Sequence, residues 1–165
     1  WTPGQGNGGR GEFPKGGALL TAEGFKTRHY DEARRINAGV ERWGPALMRL
    51  TGQGVVRYTT GNNDAPLART GIRSLTRVGS DPDASFLIGA LTHADGRRAV
   101  VLVNHNTAYT AWPTVTFDTD GEVREVDRDD GLEHPLRDDS PELPGTQLSL
   151  GAGDARLLLL PPARK

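Results

Sequence analysis

The chain has 165 residues, 35% of them hydrophobic and 25% charged, enough for one domain with a modest core or a small domain plus an attached piece. Its 20 Lys and Arg against 21 Asp and Glu leave a formal net charge of −1, and the scattered basic residues exclude the cationic face that nucleic-acid binding requires. Cysteine is absent, which excludes disulfide scaffolds, thiolate zinc sites and thiol nucleophiles, and no apolar run approaches the ~20 residues of a membrane span.

Residues 1–26 are dominated by turn formers, "PGQGNGGRG", "KGG" and "AEG". Glycine at that density costs backbone entropy and offers little to bury, so the segment reads as a long loop, with "GALLT" a short ordered patch. The start at Trp1, with neither Met nor a signal-peptide pattern, reads as the product of processing or clipping.

Residues 28–43 carry apolar positions at Tyr30, Ala33, Ile36, Val40, Trp43 and, beyond, Leu47. That spacing of three and four predicts one amphipathic helix, with Thr27 as N-cap, Asp31 and Glu32 in the first turn and an Asp31–Arg35 pair. Gly44-Pro45 is expected to interrupt it, and "ALMRL" to add a further turn. The Trp43 ring is expected in the core. A helix of this length is marginal in water by itself and must pack on something.

From Gly54 the texture becomes β. "GVVRYT" and "GIRSLTRV" are strand-like. "SFLIGALT" and "RRAVVLVNH" flank Asp95-Gly96, the signature of a type I′ hairpin. "AWPTVTF" leads through Asp120-Gly121 to "EVREV", a third turn follows at Asp130-Gly131, and "TQLSL" with "DARLLLL" is expected to form a final pair. Six to eight short strands with regular turn signals predict a mainly β fold, an antiparallel β-sandwich. The domain division is placed at 1–52 and 53–165.

"FKTRHYDEARRINAGVERWGPALMRL" and the strands after it resemble the C-terminal part of (β/α)8-barrel glycoside hydrolases. In that family a segment "dG..T..Y...k.iN.e....G..L" is the last barrel helix, and Gly24, Thr27, Tyr30, Asn37, Gly44 and Leu47 stand at the matching places, with Glu23 where the family has Asp. The family's small following sandwich is matched by "VVLVNH", "VREVDRDDG" and "LSLGAGDARLLLLP", and "WTPG" is similar to the end of the eighth barrel strand. The resemblance implies that residues 1–52 are the last βα loop and helix of a barrel and that the rest is its bracing sandwich. It also implies that the two catalytic glutamates lie on earlier strands outside this chain, so no catalytic residue is assigned here.

Glycoside hydrolysis needs two carboxylates roughly 5–10 Å apart. Asp118, Asp120, Asp127, Asp129, Asp130, Glu133, Asp138 and Asp139 are present but fall in predicted turns, where Asx-type hydrogen bonds account for them. "DRDDGLE" has some look of a calcium loop, yet its Gly131 falls one place early and the twelfth position lacks Glu. His29, His93, His105 and His134 show no metal-ligand spacing, so no metal and no cofactor is expected. At His105 a strand-end hydrogen bond is expected. There is no Gly-x-Ser-x-Gly elbow and no phosphate loop. Trp1 is the one substrate-binding candidate: at the end of a barrel strand its ring would floor a sugar site, and otherwise it is a frayed terminus.

The expectation is therefore the non-catalytic C-terminal part of a secreted glycoside hydrolase, partnered by a second polypeptide that carries the rest of the barrel and by carbohydrate, with neither nucleic acid nor membrane. A stand-alone carbohydrate-binding module is the alternative, for which Tyr58, Tyr109 and Trp112 are the candidate aromatics of the sandwich, although Trp112, before Pro113 in a strand pattern, is expected to pack at a sheet edge. A structural or adhesion sandwich without sugar function is the third.

Overall fold

The computed structural model describes residues 19–20, 24–61, 64–77 and 84–162. The chain divides into two compact units between Gly44 and Pro45. In the first, Leu20 bridges Lys26 in antiparallel fashion, and the Thr27 amide and hydroxyl both donate to the Leu19 carbonyl, at 3.0 and 3.2 Å. The sole α helix among the described residues, α1, runs Arg28–Leu47 across the junction. Its first turn is tied by the Tyr30 amide to the Thr27 carbonyl, and Lys26 Nζ stands 4.4 Å over the Tyr30 ring. Asp31 pairs with Arg34, one turn position short of the expected Arg35. Ile36 and Val40, on the apolar stripe, are 65% and 57% exposed, and Trp43 is only half-buried, not a core residue.

Beyond Pro45 the chain is mainly β. The strands are β1 (Leu50–Thr59), β2 (Ile72–Arg77), β3 (Ser85–His93), β4 (Arg98–Asn104), β5 (Pro113–Phe117), β6 (Arg124–Val126), β7 (Glu133–Pro135), β8 (Thr146–Gln147) and β9 (Ala155–Leu160). They form a six-stranded sheet in the order β1-β3-β4-β9-β6-β7 and a three-stranded sheet β2-β5-β8, with antiparallel pairing throughout. One core lies between them. Ile72, Leu75, Val115 and Phe117 meet Phe86, Ile88, Val100, Leu102, Leu158 and Leu160 there. The cause is visible in β5, "PTVTF": Val115 and Phe117 turn inward while the threonines turn out, the period-2 alternation of a half-buried strand. Each buried Leu, Ile, Val or Phe is worth about 1.5–3 kcal/mol relative to exposure.

The central strands of the large sheet depart from that alternation. "SFLIGALTH", "RAVVLVN" and "ARLLLL" are apolar almost continuously. Their second set of side chains points away from the core. Leu87, Leu91, Val101 and Val103 are half-buried there, and Ala99, Val126, Leu157 and Leu159 are buried without belonging to the core cluster. A sheet that is apolar on both faces is the composition of an inner layer.

Four expectations are corrected. Pro45 does not end α1, which runs on through Ala46 to Leu47; the proline has no N–H for the Glu41 carbonyl, and the helix closes two residues beyond it. The β3–β4 turn is not type I′. No described non-glycine residue has positive φ; the Gly96 amide donates to His93 O and Gly96 alone is left-handed (φ +88°), which is a type I turn closed by a glycine bulge. Ala94 makes the loop one residue longer than the Asp-Gly pair implied. Asp120-Gly121 does not join a hairpin, since β5 and β6 belong to different sheets. Nor do the last two strands pair with each other: β8 adds to β5, while β9 inserts between β4 and β6.

Candidate functional site

Trp1 lies outside the described residues. The acidic turn residues hold turns. Asp130 Oδ1 accepts the Leu132 amide (2.7 Å) and its Oδ2 meets His134 (2.8 Å). Asp138 accepts the Ser140 and Gln147 amides, Asp139 the Ser149 amide, and Asp127 the Asp129 amide. Asp118 pairs with Arg98 at 3.2 Å. Glu133 receives both arms of the Arg97 guanidinium, at 2.7 and 2.9 Å, and Arg97 Nε reaches Asp95 at 2.7 Å. This fork clamps the β3–β4 turn to β7. It holds the Glu133 carboxyl below its usual range, and the Arg97 backbone N–H, with His93 and the guanidinium, brings Asp95 down to about 2. Among the described residues, no group of three or more His, Asp or Glu is gathered as a metal site would need. The His105 amide makes the strand-end bond to Ser85 O (2.8 Å), and His29 pairs with Glu32 on the helix.

Glu125 is the described carboxyl pushed above its usual range. Burial raises it, and Arg156 Nη1 at 2.7 Å works against that. A raised carboxyl is what a general acid requires, but this one points to the inside of the sandwich and is ion-paired.

Two other features stand out in the sandwich. The first is an aromatic rim on the β4–β5 loop. Tyr58 is buried, its hydroxyl bonded to Asp64 and to Leu75 O, so it cannot stack on a ligand. Tyr109 and Trp112 are 69% and 56% exposed. The loop that carries them is fixed from beneath by Asn104, itself 1% exposed. The Asn104 amide donates to Tyr109 O (2.8 Å), Gly151 O (2.9 Å) and Leu150 O (3.2 Å), and its Oδ1 accepts the Asn106 amide (3.1 Å). Asn106 Oδ1 then accepts the amides of Ala108 and Tyr109. A paired bridge between Ala111 and Leu150 closes the frame.

The second is a groove of about 380 Å³ beside the far end of β5. Its walls include the hydroxyl residues Thr116, Thr119 and Thr146 and the carboxylate residues Asp120, Glu122 and Asp138, over Phe117, Val123 and Leu136. Gly121 is required here by close approach: a Cβ would stand 2.7 Å from the Pro161 ring. Tyr109 was legible in the sequence as a candidate; Trp112, expected as an edge-strand packing residue, is 56% exposed instead, because Ala111 and Pro113 take the buried side. Asn104 was not legible, because an asparagine ending an apolar strand looks the same whether or not its amide reaches three carbonyls.

Comparison of the chain with protein-family models, with curated proteins and with solved structures finds no match.

Proposed function

We propose that this chain is the non-catalytic C-terminal part of a secreted glycoside hydrolase, and that it braces a (β/α)8 barrel carried by a second polypeptide. One observation carries most of the weight: the three central strands of the large sheet are apolar on both faces, while the small sheet occupies only one. On that outward face Ala99, Val126, Leu157 and Leu159 are already buried, while Leu87, Leu91, Val101 and Val103 stay partly open. The stripe at Ile36 and Val40 is the corresponding feature of the helix. Burying such surface against a barrel would stabilise both bodies. Bond breaking belongs to the partner, and Trp1 contributes one wall of its sugar cleft.

The test uses the purified chain. It should bind a hydrophobic dye and self-associate, and Leu87→Glu with Val101→Glu should reduce both while leaving the far-UV spectrum intact. A polypeptide co-purifying from the source should show glycosidase activity and be lost in that double variant. A monomeric chain that takes up no dye would end the proposal.

A further inference from the structure

We propose that Trp112, with Tyr109, anchors a neutral saccharide chain along the outer side of β5, a binding site on the sandwich itself. The proposal is independent of the barrel-bracing reading.

Direction follows from the strand. Ala111 and Pro113 are buried on either side of Trp112, so alternation places Trp112 on the outer face with Thr114 and Thr116. Across the register Thr76 stands opposite Thr114, and Ser74 opposite Thr116. The result is an aromatic ring at the head of a hydroxyl-lined strip. From Trp112 to Thr116 the strip spans about 13 Å at the usual rise of a strand, and Thr116 is already a wall of the 380 Å³ groove. The Gly145 backbone packs against the strip, where a Cβ would lie 2.8 Å from Thr114 Cγ2, and the Thr114 hydroxyl donates to Gln147 Oε1 at 2.7 Å, which leaves its lone pairs to accept. Tyr109 lies within about 10 Å of Trp112 by chain length alone.

Preorganisation is the second line. A buried asparagine that bonds the Tyr109 carbonyl and the Asn106 amide holds the backbone of the β4–β5 loop before any ligand arrives, so less loop-ordering entropy is lost on binding. Ligand class follows from charge. The charged wall residues of the groove are carboxylates (Asp120, Glu122 and Asp138, with Glu122 paired to Arg124 at 2.8 Å), so no wall residue offers a cation to phosphate, sulfate or uronate. Sugar rings present C–H faces to Trp112 and Tyr109 and donate hydroxyl protons to carboxylate and threonine oxygens. A proline-rich peptide also docks on aromatic rims, but its backbone offers chiefly carbonyl acceptors, which acceptor-only carboxylates do not match.

The experiment is affinity electrophoresis of the full chain in gels containing xylan, β-1,3-glucan or β-1,4-galactan, run beside Trp112→Ala, Tyr109→Ala and Trp112→Phe. The wild type should be retarded by at least one polymer. Trp112→Ala should bind about tenfold more weakly, as expected for loss of an anchoring aromatic, and Trp112→Phe should retain most of the retardation. If Trp112→Ala unfolds, Tyr109→Ala, at a position outside the core, must still weaken binding. Absence of retardation by all three polymers overturns the proposal. So does retardation that Trp112→Ala and Tyr109→Ala leave unchanged, or fluorescence quenching by a polyproline peptide with no response to any polymer. A failure here would leave the dye-binding and co-purification results standing.

Discussion

Replacing Asn104 by Ala tests the framework under the aromatic rim. Four hydrogen bonds end on this side chain, three from its amide nitrogen and one to its oxygen. They are not equal losses. Leu150 O keeps the Ala111 amide (2.8 Å) and Gly151 O keeps the Asp154 amide (3.0 Å). The Tyr109 carbonyl and the Asn106 amide are the groups the substitution strands. Stranding each costs about 1 kcal/mol, and the small cavity at a buried position adds about as much again, so Asn104→Ala should destabilise by about 3 kcal/mol. In urea the midpoint should fall with the slope m unchanged, and the melting temperature should drop by roughly 10 °C. Hydrogen exchange at the Ala108 and Tyr109 amides should rise more than at β3 and β4. Asn104→Asp should be worse at pH 7, because a carboxylate would then face three carbonyl oxygens, and should recover in part as pH falls and the carboxyl protonates. An Asn104→Ala chain within about 0.5 kcal/mol of wild type, with exchange at Ala108 and Tyr109 unaltered, would refute the assignment of Asn104 as the pin of this loop.

The Asp95 carboxyl sits at about 2 against an ordinary 3.8, so folded protein binds the proton more weakly than unfolded chain. The stability it contributes is complete above pH 4 and is lost as pH falls from about 4 to 2. Asp95→Asn should therefore flatten the acid limb of a melting-temperature profile in that window. Glu125 has the opposite sign: its raised carboxyl makes the charged form costly as pH rises through the folded value. Arg156→Met should destabilise strongly at pH 7, by about 3 kcal/mol, with the loss shrinking toward pH 4, whereas Glu125→Gln should cost less; equal losses at both pH values would contradict this. Gly71→Ala should lower stability by about 2 kcal/mol in chemical denaturation, because φ is +87° and the added Cβ would lie 2.8 Å from the buried Leu160 Cδ2. Leu158→Ala, in the core between the sheets, should cost about 3 kcal/mol by the same measurement.

What the sequence determined by itself is local. β-branched runs around Asp95-Gly96 specify the β3–β4 hairpin, and apolar spacing specifies α1, because both depend on residues a few positions apart. The threonine alternation of "PTVTF" likewise shows which side of β5 is buried. Tertiary structure decided the rest. Only assembly sends β5 and β6 to different sheets and places β9 between β4 and β6, since the β9 pairings join residues 31 to 62 positions apart that carry no mutual signal in their own composition. "ARLLLL" could serve as either face of either sheet; its neighbours Val100 and Val126 settle which leucines enter the core and which form the outward layer. The reach of the Asn104 amide to three carbonyls, and the meeting of Arg97 with Glu133, are products of the same folding. Hydrogen-bond partners are chosen by distance in space, and distance along the chain constrains that only over a turn or two.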